Sequence, residues 1–123
     1  MNIECFIYEP HYDLESVRDR VQKNEGIIGA SRLDVLDKLR ERKIPIKGQD
    51  FLIAGVSTNY CVYSNIVDFL NDGAKSVTVN CLESRAKAEL NLGVVLSPQE
   101  RAETIRVLLM EKADDPRLKF ITE

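Results

Sequence analysis

Continuous apolar runs alternate along the chain with segments in which hydrophobic residues recur at helical spacing. The clearest run is Phe-Leu-Ile-Ala at residues 51–54, which ends at Gly55 and has the length of a strand buried on both faces. After it, Thr58 and Asn59 are good N-cap residues, and apolar residues then recur at helical spacing as far as Gly73. This central stretch therefore predicts a strand, a tight turn and a helix.

The same two patterns predict most of the other elements. Short apolar or β-branched runs indicate strands at residues 3–8, 76–80 and 118–122. Helical spacing together with N-cap residues indicates helices at residues 32–42, 84–92 and 98–112. The last of these has a strong start, because Ser97 is an N-cap residue, Pro98 suits the first position and Glu100 completes a capping box.

The segment that follows the first strand has a less regular pattern. Apolar residues lie at helical spacing in residues 14–21, but residues 20–23 fit a short strand equally well. A helix is favoured for the first part of this segment. Two glycines then indicate a loop at residues 26–29.

Strands that alternate with helices predict βαβ units and a parallel sheet. We therefore expect an α/β fold, a three-layer sandwich with a mostly parallel central sheet of about five strands and helices on both faces. At 123 residues the chain is expected to form a single domain, residues 1–123.

Composition and charge narrow the classes of partner. Hydrophobic residues make up 44% of the chain and charged residues 30%, which is ordinary for a globular protein, and the net charge of −3 gives no reason to expect nucleic acid or an anionic membrane. No apolar run approaches the roughly 20 residues of a membrane span. Acidic residues interrupt the N-terminus, which therefore does not resemble a signal peptide. These features predict a cytoplasmic protein with no nucleic-acid or membrane partner.

The three cysteines differ in their sequence surroundings. Cys5 and Cys81 lie in or beside apolar strands and are expected in the core, whereas Cys61 falls in the first turn of the central helix, just beyond its strand. A thiol there feels the positive end of the helix dipole, which favours the nucleophilic thiolate. The cysteines lack metal-ligand spacing and His11 is the one histidine, so we expect no metal and no cofactor.

The central stretch resembles a known superfamily. Gly-Val-Ser-Thr-Asn-Tyr-Cys-Val at residues 55–62, followed by Asp-Phe-Leu-Asn-Asp-Gly-Ala-Lys-Ser-Val-Thr-Val at residues 68–79, is similar to the cysteine turn of the isochorismatase-like cysteine hydrolases. That superfamily includes nicotinamidases, N-carbamoyl amide hydrolases and isochorismatases. The helix predicted at residues 32–42 and the Ser84-Arg85 pair also match, so the resemblance covers roughly residues 20–92.

The resemblance implies an activity and a set of site residues. The chain would be a small-molecule hydrolase that cleaves an amide-type C–N bond through an acyl-enzyme on Cys61. Lys23 lies within one residue of the family's catalytic lysine, and Glu9 stands where the family has an aspartate. Backbone N–H groups of Ser57 and Cys61 would bind the oxyanion. The family turn also implies a cis peptide bond between Val56 and Ser57. Side-chain hydrogen bonds made by Thr58 and Asn59 would stabilise this turn.

The chain departs from the family in two respects. Family members are usually longer, and most of the segment between the first strand and the lysine is missing here. That segment carries the metal-binding histidines of nicotinamidases and part of the pocket wall, so metal-dependent nicotinamidase activity is not expected. Glu9 is one methylene longer than the family aspartate, which would displace the base. The alternative function is a catalytically inactive isochorismatase-like binding or assembly protein.

A shortened α/β chain should also leave apolar surface uncovered near an edge of its sheet. We therefore expect a homodimer or a higher homo-oligomer. The candidate contact residues are apolar residues of the less regular segments: Ile27, Ile28, Val94, Val95 and Leu96.

Overall fold

The computed structural model describes residues 2–8, 19–20, 22–23 and 26–123. Its centre is a five-stranded parallel sheet with strand order β2-β1-β3-β4-β5. The strands are β1 (Asn2–Ile7), β2 (Ile27–Gly29), β3 (Asp50–Gly55), β4 (Ser76–Asn80) and β5 (Leu118–Ile121). The predicted α/β fold with a mostly parallel sheet of about five strands is confirmed.

β3 is the central strand, as the unbroken apolar run predicts. It pairs with β1 on one side and with β4 on the other. Phe51 and Ile53 are fully buried on one face of the sheet, and Ala54 is buried on the other. Both faces of this strand are therefore covered, which explains why its sequence shows no polar alternation.

Four helices lie between residues 30 and 117, where they connect the strands. They are α1 (Arg32–Glu41), α2 (Tyr63–Asn71), α3 (Lys87–Leu92) and α4 (Pro98–Leu109). The predicted capping box of α4 is present, because Ser97 Oγ accepts from Glu100 N and the Glu100 carboxylate accepts from Ser97 N. Single 3₁₀ turns follow β4 and α4, at Cys81–Glu83 and Met110–Asp114.

Two predictions before α1 need correction. Residues 19–20 and 22–23 are helical, so the alternative of a short strand at residues 20–23 is wrong. The predicted loop at residues 26–29 instead contains the edge strand β2, whose Ile27 and Ile28 are buried on opposite faces of the sheet. Pairing with β1 stabilises this three-residue strand, and so short a segment carries almost no periodicity of its own.

The main core lies between one face of the sheet and helices α1, α2 and α4. It includes a stacked aromatic pair, Phe51 on β3 and Phe69 on α2, with ring centroids 4.2 Å apart. On the other face, Phe6, Ile28 and Ala54 form a smaller cluster. The helical residue Arg20 lies over the Phe6 ring and pairs with Glu4 and Glu83, so helical residues contact both faces.

The strand order creates a switch point beside β3. The chain passes from β1 to β2 on one side, and from β2 it crosses to β3 on the other side of β1. Ligands of open α/β sheets bind outside the carboxyl ends of strands at such a point. The residues that follow β1 and β3 are therefore candidates for a site. None of the described helices has the length and apolar character required to cross a membrane.

Candidate functional site

The turn that follows β3 carries Cys61. We call residues 56–62 the cysteine turn. The peptide bond between Val56 and Ser57 is cis, which confirms the expectation from the resemblance. Residues Thr58–Val62 then form a π-helical turn that leads into α2. Ser57, rather than Thr58 or Asn59, is the N-cap residue, and its side chain makes no capping hydrogen bond.

The cysteine turn packs tightly against the end of β1. Val56 N donates to Ile7 O over 3.1 Å. Gly55 has a φ of 122°, and a Cβ atom at this position would lie 2.2 Å from Ile7 O. Only glycine fits this conformation and this close approach. The glycine therefore fixes the cysteine turn beside the carboxyl end of β1, at the switch point of the sheet.

Residues after β4 hold the other side of the cysteine turn. Thr58 N donates to Arg85 O over 3.0 Å, and Arg85 N donates to Gly55 O over 3.1 Å. Asn59 Oδ1 accepts from Lys87 N over 3.3 Å, so the expected side-chain tie through Asn59 is present. The expected tie through the Thr58 hydroxyl is not: Thr58 Oγ1 is buried, and no hydrogen-bond partner is found for it within the described part of the chain. The backbone of Thr58 makes the connection instead.

Cys61 is more accessible than the other two cysteines. It is partly buried, whereas Cys5 and Cys81 are fully buried, as expected for core residues. Burial, with a smaller effect of the Glu4 charge, raises the pKa of Cys5 to about 12. Burial also raises the pKa of Cys81 to about 11, against the opposing charges of two arginines. Cys61 is therefore the least buried of the three thiols, although it packs against the main core.

An arginine and an aspartate form an ion pair on the helical face that begins at Cys61. Arg32, the first residue of α1, donates from Nε to Asp68 Oδ2 over 2.6 Å and from Nη2 to Asp68 Oδ1 over 3.1 Å. The hydrogen bonds and charge of Asp68 raise the pKa of the Arg32 guanidinium, burial opposes this slightly, and a negative charge on Cys61 raises it further. Arg32 therefore lies within electrostatic range of Cys61.

The sequence contains one signal for this cluster, the helical spacing of its polar residues, which the sequence analysis did not use. Cys61, Asn65 and Asp68 are spaced at i, i+4 and i+7, which places them on one helical face. Asn65 is buried, and its Nδ2 lies 3.5 Å from Arg32 O. Helical spacing alone gives no indication that Asp68 is paired, because its partner Arg32 lies 36 positions earlier in the chain.

The other two predicted catalytic residues are Lys23, which the structure describes, and Glu9, which it does not. Lys23 is an exposed helical residue three positions before Gly26, which lies against Glu4 in the amino-terminal half of β1. Cys61 follows the carboxyl end of β3, and the catalytic role expected for Lys23 stays a prediction. Glu9 lies outside the described residues. No group of three or more His, Cys, Asp or Glu side chains suited to a metal ion is found among the residues that the structure describes.

Comparisons of the chain with models of protein families, with curated proteins and with solved structures find no match. The family assignment therefore depends on the residues of the cysteine turn and its surroundings, and it is a proposal below.

Proposed function

We propose that the protein is a cysteine hydrolase of the isochorismatase-like type that cleaves an amide-type C–N bond of a small molecule. The observation that carries this proposal is the position of Cys61: the least buried of the three thiols, in the cysteine turn at the switch point of a parallel sheet. A cytoplasmic setting and a small-molecule substrate belong to the same proposal.

The reaction would proceed in two steps. A carboxylate takes the proton of Cys61, and the resulting thiolate attacks the substrate carbonyl to form a tetrahedral oxyanion. The C–N bond then breaks, the amine leaves with the proton from the carboxylic acid, and a thioester remains on Cys61. Water, activated by the same carboxylate, hydrolyses the thioester to a carboxylic acid and restores the thiol. The resemblance assigns the proton transfers to Glu9.

Arg32 would supply the positive charge in this reaction. In the family a lysine stabilises the thiolate, and Lys23, which matches that lysine, is an exposed helical residue here. Arg32 carries a permanent charge and is oriented by its bidentate contact with Asp68. We therefore assign the stabilisation of the thiolate to Arg32, and the binding of the oxyanion to the backbone N–H groups of Ser57 and Cys61.

The test is a screen of small amides with the wild-type chain, with Cys61→Ala and with Cys5→Ala as the control. Release of amine would be measured together with the mass of the protein. We expect hydrolysis and a Cys61-linked acyl adduct in wild type and in Cys5→Ala. Cys61→Ala should lose activity by at least about a hundredfold, because the nucleophile is absent. Equal activity in Cys61→Ala and wild type would rule out the proposed nucleophile.

One observation favours the alternative, a binding or assembly protein without catalysis. The residue that matches the family lysine, Lys23, is exposed on its helix. This alternative expects that Cys61→Ala retains the ligand affinity and oligomeric state of wild type, and that no acyl adduct accumulates with any amide. Adduct formation on Cys61 would exclude it.

A further inference from the structure

A buried ion pair is connected to the cysteine turn through the backbone of residues 85–87. Glu89 on α3 and Arg101 on α4 have side chains that are 4% and 5% exposed. Arg101 donates from Nη2 to Glu89 Oε1 over 2.7 Å and from Nε to Oε2 over 3.0 Å. Its Nη1 donates to Cys81 O over 3.0 Å, which links the pair to the turn after β4.

The Glu89 carboxylate also organises the backbone around α3. It accepts from Ala86 N over 2.7 Å at the start of the helix, and from Leu96 N over 2.9 Å in the loop before α4. Helix α3 has only six residues and contributes no buried residue to the core. Apolar packing therefore contributes little to fixing this helix, and the Glu89 carboxylate connects it to α4.

The backbone segment that is bonded to Glu89, around Ala86, is also bonded to the cysteine turn. Ala86 lies between Arg85, whose carbonyl accepts from Thr58 N, and Lys87, whose N–H donates to Asn59 Oδ1. Lys87 Nζ also lies 4.9 Å from the centre of the Tyr60 ring. A displacement of residues 85–87 would therefore be transmitted directly to Thr58, Asn59 and Tyr60.

We infer that the Glu89–Arg101 pair positions the cysteine turn, and with it the Cys61 thiol; this inference rests on the proposed function of Cys61. Replacing a buried ion pair with apolar residues is often neutral or stabilising, so such a pair is weak grounds for a stability role alone. Here the carboxylate makes contacts that apolar residues could not reproduce, since it bonds a guanidinium and two backbone N–H groups in fixed directions. Neither residue touches substrate in this scheme.

Glu89→Gln tests the inference, because it keeps the shape of the side chain and removes its charge. The matched control is Asp115→Asn. Asp115 forms a comparable bidentate pair with Arg117, which donates to Ala74 O, but this pair lies before β5, away from the cysteine turn. Arg101→Lys is the second variant if Glu89→Gln does not fold, since it retains the charge and loses the planar fork.

Two measurements on folded protein separate positioning from stability. Amide hydrogen exchange of Thr58 and Lys87 should accelerate by about tenfold or more in Glu89→Gln, because charged hydrogen bonds are lost, and should change little in Asp115→Asn. The pH profile of Cys61 alkylation by iodoacetamide should also move in Glu89→Gln alone. If both variants accelerate exchange equally across the sheet and leave the alkylation profile unchanged, the pair is merely structural. The exchange result is independent of whether Cys61 hydrolyses any amide.

Discussion

The Arg32 guanidinium is held by two hydrogen bonds to Asp68 at a position where it interacts with Cys61. Arg32 begins α1 and Asp68 lies in α2, so the contact connects two helices that cover the same face of the sheet. The pair holds the Arg32 guanidinium over the helical face that begins at Cys61. This relationship, more than the family lysine, gives the proposed chemistry its physical basis.

The first prediction concerns this charge. Arg32→Ala should slow the alkylation of Cys61 by iodoacetamide by about tenfold near neutral pH, because the proposed nucleophile loses a cation within electrostatic range. Arg40→Ala is the control: Arg40 is also on α1, but it is highly exposed and pairs with Asp37. Identical rates in wild type and Arg32→Ala would mean that the guanidinium does not act on the thiol.

The second prediction is selectivity among the three cysteines. Cys61 should react with iodoacetamide at pH 7.5 at least about a hundredfold faster than Cys5 and Cys81, since burial raises the pKa values of those two to about 12 and about 11. Mass spectrometry of peptides after short exposure measures the three rates separately. The difference should vanish in urea at concentrations that unfold the chain. Equal, slow labelling of all three residues in the folded protein would favour the non-catalytic alternative.

The parts of the fold that the sequence predicted well have strong local signals. Residues 51–54 are continuously apolar, and Ser97, Pro98 and Glu100 form a complete helix start, so both elements could be located from neighbouring residues alone. β2 could not be located in this way. Its three residues form a strand because they pair with β1, which is a tertiary effect.

The candidate site shows the same limit. Cys61 could be found because the turn around it is local, and Asn59 was expected to tie that turn. Its supporting residues come from distant parts of the chain: Arg32 pairs with a residue 36 positions away, and Arg101 with one 12 positions away. Both ion pairs join residues on different helices, and one sequence gives no direct indication of which charges meet.

The third prediction concerns Gly55. Gly55→Ala should destabilise the protein by several kcal/mol, about 3 or more, because the new Cβ would collide with Ile7 O and the backbone has a positive φ. Urea denaturation measures the free energy of unfolding. Gly48→Ala is an informative control, since Gly48 also has a positive φ but has open space around its Cβ position. A similar, small effect of both substitutions would show that the contact with Ile7 can relax.

The fourth prediction concerns self-association. Ile27 and Ile28, expected at a subunit contact, are buried in the described structure and are not available. Val94 and Val95 remain exposed, Val95 by 86%, together with Leu92. They lie beside Leu96, which lines an apolar groove of about 500 Å³ with Val107 and Leu108. We expect a dimer in sedimentation at tens of micromolar and a monomer for Val95→Asp. A wild-type monomer at that concentration would contradict this prediction.

The last prediction concerns the pH dependence of stability. Burial alone would raise the pKa of Glu89, but the hydrogen bonds from Arg101, Ala86 N and Leu96 N hold it below its usual value. A carboxylate with a lowered pKa in the folded state stabilises that state above its unfolded pKa of about 4.3. This contribution is lost as the pH falls through the folded pKa, because the unfolded chain takes up the proton first.

Glu89→Gln should therefore destabilise the protein by about 3 kcal/mol at pH 7, since it breaks a buried ion pair, and by clearly less at pH 3. Urea denaturation of wild type and variant at the two pH values measures the difference. Glu100→Gln is the control, because Glu100 is exposed and its capping bond to Ser97 N can be made by glutamine as well. A destabilisation by Glu89→Gln that is equally large at pH 3 would mean that the loss comes from packing, and that the charge of Glu89 contributes little to holding α3 against α4.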